Sequence, residues 1–93
     1  MIKVDGHTFL RSGEKIGFID GDYIKNHDGD KVGYCRDEHV FDMAGHKLAY
    51  IEDDRICFRD SSRKIRVEDN NDDIVGGDLS NLQKAAVRVL LGE

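Results

Sequence analysis

One short pattern recurs at a nearly fixed interval along this chain and limits the folds that the chain can adopt. Runs of the form Lys–aliphatic–small–aromatic begin at Lys15, Lys31 and Lys47, and an eroded copy begins at Lys64. Successive copies start 16, 16 and 17 residues apart. A period of this length indicates one supersecondary unit that is repeated several times.

The residues of each copy are typical of β-strands. They are β-branched or aromatic, they form short runs, and Gly, Asp and Asn separate the runs. Residues 4–9 overlay residues 19–24 without a gap, so the N-terminus joins the repeat, and residues 64–75 form an eroded last unit. The sequence predicts a mostly β fold of about five antiparallel hairpin units, or roughly ten short strands.

Two kinds of turn alternate between the runs. The pairs Asp5-Gly6 and Asp20-Gly21 predict type I′ hairpin turns, which need positive φ at both central residues. In the other turns a glycine recurs at one offset, as a residue in the left-handed region would. These glycines are Gly13, Gly29 and Gly45.

A column of small residues lies in the middle of the strands. Gly17, Gly33 and Ala49 occupy it, although glycine normally weakens a strand interior. A repeated small residue indicates close approach of backbones around a shared axis. We therefore expect the units to be arranged radially, in a barrel-like or flower-like form that removes exposed edges.

The C-terminal residues change from the strand pattern to a helical one. Apolar residues between Leu79 and Leu90 fall on one stripe, and Ser80 with Gln83 forms a capping box. The predicted organisation is a hairpin-repeat domain over residues 1–75 and a helix within 76–93 that docks on it. Val87 and Leu91 flank the stripe and are expected to remain exposed. The acidic run 69–73 is interpreted as a solvated connector.

The repeat resembles that of the bacterial β-flower proteins, in which hairpins surround a pseudo-symmetry axis. The likeness is carried by Val32-Gly33-Tyr34, by residues 39–45 and by Leu48–Ile51. The chain departs from the pattern at Arg66 and at Ser61–Arg63. Four-fold and five-fold versions of the family exist, and five units favour the five-fold version. The resemblance implies a fold and no particular activity.

Composition excludes several functional classes. The chain has 93 residues, a size typical of one domain, and a net charge of −5 without the basic stripe that a nucleic-acid binder needs. We find no metal-ligand spacing, no cofactor motif and no catalytic constellation. Cys35 and Cys57 are interpreted as reduced, half-buried thiols. Without a signal-like apolar run, a cytoplasmic location is expected.

These features favour a non-enzymatic binding or scaffold module, because the repeat explains every distinctive residue. The alternative is a small-ligand or enzymatic site in the funnel where the units converge. Its candidate residues break the symmetry: His39, Arg55 and Arg66. The aromatic column Phe18, Tyr34 and Tyr50 is interpreted as a core layer rather than a ligand platform.

Two kinds of association remain open from the sequence. The imperfect first and last units leave strand edges that a second copy could pair with, so a homo-oligomer is expected. Association with a membrane surface through the C-terminal helix is the less favoured alternative, because that helix carries only Lys84 and Arg88 as cations.

Overall fold

A computed structural model describes residues 1–92 of the chain. Its backbone forms one ten-stranded sheet in which nine strands follow each other in chain order and every sequential pair is antiparallel. Strands make up 48% of the residues. Eight of them form four hairpins, each with a two-residue tight turn. The strands are β1 (Ile2–Asp5), β2 (Thr8–Arg11), β3 (Glu14–Asp20), β4 (Tyr23–Asn26), β5 (Lys31–Arg36), β6 (His39–Asp42), β7 (Lys47–Glu52), β8 (Arg55–Phe58), β9 (Lys64–Arg66) and β10 (Ile74–Val75).

The predicted fifth hairpin is wrong. Strands β9 and β10 do not pair with each other, and helix α1 (Val67–Asp73) lies between them. Strand β10 instead pairs in parallel with β1, with Ile74 opposite Ile2. The sheet is therefore not closed into a barrel.

The acidic run 69–73 is a helical turn rather than a solvated connector, and its Asn70 is fully buried. The reason lies in the local sequence, because residues 68–73 contain no β-branched or aromatic residue that would favour a strand. Glu68 and Asp69 also lie in the first turn of α1, where acidic side chains favour a helix.

The tight turns follow two patterns of backbone geometry. Gly6 and Gly21 have positive φ but their following residues do not, which is the type II′ pattern, so the predicted type I′ geometry is wrong there. Asp37-Glu38 and Asp53-Asp54 have positive φ at both central positions, as type I′ turns require. In the turns that connect successive hairpins, the prediction of left-handed glycines is confirmed, with φ of 88° at Gly29.

The core fills the inner face of the curved sheet. Strand residues alternate between two faces, and each strand of the hairpins contributes at least one inward apolar residue. The inward residues pack with Ala85, Ala86 and Val87 from the C-terminal segment. The hairpin-strand residues of this core are Ile2, Val4, Phe9, Ile19, Ile24, Cys35, Val40, Ala49 and Ile56, and Ile74 of β10 joins them.

The C-terminal segment lies inside the sheet. It comprises helix α2 (Asn81–Val87) and a π-helical turn (Arg88–Gly92), and Glu93 of the predicted segment 76–93 lies outside the described residues. The predicted capping box is confirmed, since Ser80 Oγ accepts from the Gln83 backbone and the Gln83 side chain accepts from Ser80 N. The expected exposure of Val87 is wrong, because this residue is fully buried.

The C-terminal segment packs against the column of small residues, at Gly17 and Gly33. A Cβ atom at Gly33 would lie 2.6 Å from Leu90 Cδ1, and one at Gly17 would lie 2.9 Å from Leu91 Cδ1. Such separations are well below van der Waals contact. Close approach was predicted correctly, but the approaching groups are leucine side chains and neighbouring carbonyl oxygens rather than strands converging on an empty axis.

Candidate binding surface

Most of the aromatic residues lie on the outer face of the sheet. Gly17 and Ile19 point toward the C-terminal segment, so Phe18 between them points outward, and the same alternation applies to Tyr34 and Tyr50. The interpretation of this column as a core layer is therefore wrong. Five of the seven phenylalanines and tyrosines are half-buried on this outer face: Phe18, Tyr23, Tyr34, Phe41 and Tyr50.

Four of these rings and one imidazole form a continuous row that we call the aromatic band. Its members are Tyr23, Tyr34, Phe41, His39 and Tyr50. Tyr34 and Phe41 stack with their ring centroids 4.8 Å apart and an interplanar angle of 11°. The other neighbouring centroids lie 5.7 to 6.1 Å apart. The band thus crosses four neighbouring strands, β4 to β7.

Cationic side chains cover the band from both ends of the strands. Lys31 Nζ lies 4.1 Å from the Tyr23 ring centroid, which is a close cation–π contact. The guanidinium groups above Tyr34 and Tyr50 are 5.4 and 5.9 Å away and belong to Arg36 and Arg59. Beside the band, Phe18 has two such neighbours, Lys15 at 4.7 Å and Lys25 at 5.4 Å.

Two members of the band have defined protonation. The electrostatic influence of Cys57, together with a hydrogen bond to it, raises the pKa of Tyr50, so this phenol is neutral at ordinary pH. His39 Nδ1 lies 2.8 Å from the Asp37 carbonyl oxygen. Because a carbonyl oxygen only accepts, Nδ1 carries the proton in this contact.

The other two candidate residues lie at the place where the repeat breaks. Arg55 of β8 and Arg66 of β9 are opposite each other in register, and both line an open groove of about 500 Å³ beside α1. Hydrogen bonds from Arg66 Nε and Nη2 to Asp69, both 3.1 Å long, raise the pKa of this guanidinium. His39 is not among the groove residues. The structure therefore brings Arg55 and Arg66 together and places His39 in the aromatic band.

The rest of the groove is polar. Asp54, Glu68 and Asp72 contribute carboxyl groups, and Asn71 contributes a buried Oδ1 that has no hydrogen-bond partner within residues 1–92. Across the described part of the chain, no three His, Cys, Asp or Glu side chains converge on a point where a metal ion could sit. None of the helices described is long and apolar enough to cross a membrane.

The fold and this surface define the class of the protein, a domain built from four repeated hairpins around an internal helix. A family model described as "4-fold beta flower protein" matches residues 7–73. The chain belongs to this family, and the four hairpins agree with it, whereas the preference for a five-fold version is wrong. Comparison with curated proteins and with solved structures gives no match.

Proposed function

We propose that this chain is a non-enzymatic binding module and that the aromatic band is its binding surface. The observation that carries the proposal is the placement of five of its seven phenylalanines and tyrosines outside the core, although aromatic side chains provide the largest buried areas in protein interiors. A continuous row of partly exposed rings on a small domain is a feature of interaction sites.

The chemistry of the band supports this role. Tyrosine and arginine are the residues that most often dominate the binding energy of protein interfaces. Here Arg36 lies above Tyr34 and Arg59 lies above Tyr50, so each ring presents an apolar face next to a cation. No group in the band is placed as a nucleophile beside a base, which favours binding over catalysis.

The competing role for the band is purely structural, because aromatic pairs across strands stabilise a sheet by about 0.2–1 kcal/mol each. The two roles predict different stabilities for Tyr34→Ser combined with Phe41→Ser. If the band is a binding surface, urea unfolding should show a loss of about 1 kcal/mol or less in this double variant. Phe9→Ala in the core is the matched reference, with an expected loss of about 3–5 kcal/mol. A loss in the band variant as large as that of Phe9→Ala would contradict the proposal.

A second candidate is a small-ligand site in the groove beside α1. It is favoured by the Arg55 guanidinium, which makes no ion pair or hydrogen bond with the described residues, and by the buried acceptor Asn71 Oδ1. A guanidinium next to acceptors suits a ligand that carries both a carboxylate and an amino group. A thermal-shift screen with free amino acids and dipeptides tests it. A shift in the wild type that Arg55→Ala or Arg66→Ala removes and His39→Ala keeps would support this site, and no shift in the wild type would exclude it.

A further inference from the structure

The two ends of the outer sheet face carry opposite charges. Strand β3 has Lys15 near its beginning and ends at Asp20, and β7 begins at Lys47 and ends at Glu52. All four side chains are exposed, and Asp20 forms an ion pair of 3.2 Å with Lys25 of the same chain. The tight turns of the second, third and fourth hairpins add further acidic residues to the same end of the molecule. These are Asp22, Asp37, Glu38, Asp53 and Asp54.

The opposite end is basic on the outer face. Lys31 and Arg59 project from it over the rings of the band. Acidic residues are present there as well, among them Glu14, Asp30 and Asp60. Asp28 lies 3.4 Å from His27 and Asp42 lies 3.0 Å from His46, and these contacts are ion pairs only while the imidazole is protonated. Along the strands, the outer face therefore carries the acidic turns at one end, the aromatic band in the middle and the basic side chains at the other end. Three cations also lie at the acidic end: Arg36, and the pair Arg55 and Arg66 beside α1.

We propose that the aromatic band docks on the aromatic band of a second copy of this chain, a proposal that rests on the function proposed above. The two-fold axis lies in the plane of contact and runs perpendicular to the strands. This rotation places rings on rings and reverses the strand direction. Glu52 of one copy then faces Lys47 of the other at both ends of the contact. The two-fold axis produces the same charged contact twice, once at each end of the strands, which gives a closed dimer.

Charge complementarity favours a second copy over other partners. A polyanion such as single-stranded nucleic acid would match the basic end and the rings, but it would be repelled by the acidic turns and by the net charge of −5. A polycation would match the turns and be repelled by Lys31 and Arg59. A partner complements the whole face only if it places a basic end opposite the acidic turns and an acidic end opposite the basic side chains. A second copy in the reversed orientation does this. Docking would also bury rings that are partly exposed in one copy.

Two charge variants test this arrangement by sedimentation analysis from micromolar to millimolar concentration. Lys15→Glu with Lys47→Glu makes both ends acidic, and Asp20→Lys with Glu52→Lys makes both ends basic. We expect the wild type to dimerise and each variant alone to dissociate roughly tenfold or more readily. An equimolar mixture of the two variants should regain the dimer, because every facing pair is again of opposite charge.

A control separates this contact from simple attraction between chains of unlike net charge. Tyr34→Ser with Phe41→Ser, placed in both charge variants, should abolish the mixed dimer. A mixed dimer that survives this change would overturn the proposal, and so would a wild type that stays monomeric at every concentration. If a single-stranded oligonucleotide alters the tyrosine fluorescence of such a monomer, the occupant of the band is nucleic acid instead. The urea stability of the Tyr34→Ser, Phe41→Ser variant separates failure of the dimer from failure of the proposed binding module. If the wild type is monomeric but this variant loses little stability, the band still fits a binding surface for another partner.

Discussion

Leu90 lies directly over Gly33, so that a Cβ atom at position 33 would fall 2.6 Å from the Cδ1 atom of the leucine. The same Cβ atom would also clash with the carbonyl oxygen of Phe41 on the neighbouring strand. Position 33 therefore has no room for a side chain. The absence of side chains here and at Gly17 lets the C-terminal segment approach the sheet and fill the space that the hairpins enclose.

Gly33→Ala should destabilise the fold by about 1–3 kcal/mol, the usual cost of overpacking a core. Urea unfolding followed by circular dichroism measures it. Adding Leu90→Ala removes one of the two clashes, so the double variant should lose less than the sum of the two single losses. Additive losses would show that Leu90 does not rest on Gly33.

Asp42 should make the stability depend on pH. Its Oδ1 accepts hydrogen bonds of 2.9 Å from the backbone N–H groups of His46 and Ala44, and the bond from His46 contributes most to the lowered pKa of Asp42. A lowered pKa means that the folded state favours the carboxylate. The resulting stabilisation is present above the unfolded-state value of 3.8 and is lost as the pH falls through the folded-state value.

The chain contains its own control for this effect. Asn26 holds the equivalent turn in the previous hairpin, where its Oδ1 accepts from the N–H groups of Asp28 and Asp30 at 2.9 and 3.0 Å. Asp42→Asn should weaken the acid dependence of the unfolding free energy between about pH 5 and about pH 3, and Asn26→Asp should strengthen it. Equal acid dependence in all three proteins would contradict this role of Asp42.

Asn70 should anchor α1 to the C-terminal segment. Its buried Oδ1 accepts a hydrogen bond of 2.8 Å from Arg88 Nε, and Arg88 Nη2 also donates to Asp73 at 2.7 Å. Asn70→Ala should therefore cost about 1–3 kcal/mol in the free energy of unfolding. A double-mutant cycle with Arg88→Met should give a coupling energy of about 0.5 kcal/mol or more, and strict additivity would contradict the contact.

Cys35 should react slowly with thiol reagents in the folded protein. It is 3% exposed, and burial is the main cause of its raised pKa, with the negative charge of Asp22 adding to it. Cys57 is buried as well, and neither cysteine forms a disulfide. Disulfide exchange with a chromogenic reagent should be roughly tenfold or more slower for both thiols in the folded chain than in urea. Equal rates would show that the thiols are accessible.

The repeat made the four hairpins predictable, since its period, its left-handed glycines and its strand-type residues all pointed to the same structure. The capping box at Ser80 was equally local and was also predicted correctly. The fifth unit was not, because residues 64–75 were aligned by analogy with the other units. Their composition, with Arg66 in the small column and Glu68 in place of an apolar residue, favours a helix at that point.

The alternation of side chains along the strands could not by itself show which face of the sheet the aromatic residues occupy. A period of two residues places Gly17 and Phe18 on opposite faces but does not say which face is internal. That depends on where the C-terminal segment docks, a contact between positions more than 70 residues apart in the case of Gly17 and Leu91. The column Phe18, Tyr34 and Tyr50 was therefore assigned to the core, although the small column marked the opposite face as the internal one.

The placement of the band on an accessible surface is the central claim, and tyrosine fluorescence tests it most directly. The chain has three tyrosines and no tryptophan, and Tyr23, Tyr34 and Tyr50 all belong to the band. Its intrinsic fluorescence therefore reports on the band alone. Acrylamide quenching of the dilute folded protein should be clearly measurable, at roughly a tenth to a third of the efficiency found for the chain unfolded in urea, because the rings are partly exposed. Quenching close to zero in the dilute folded protein would place the tyrosines in the core and contradict the account.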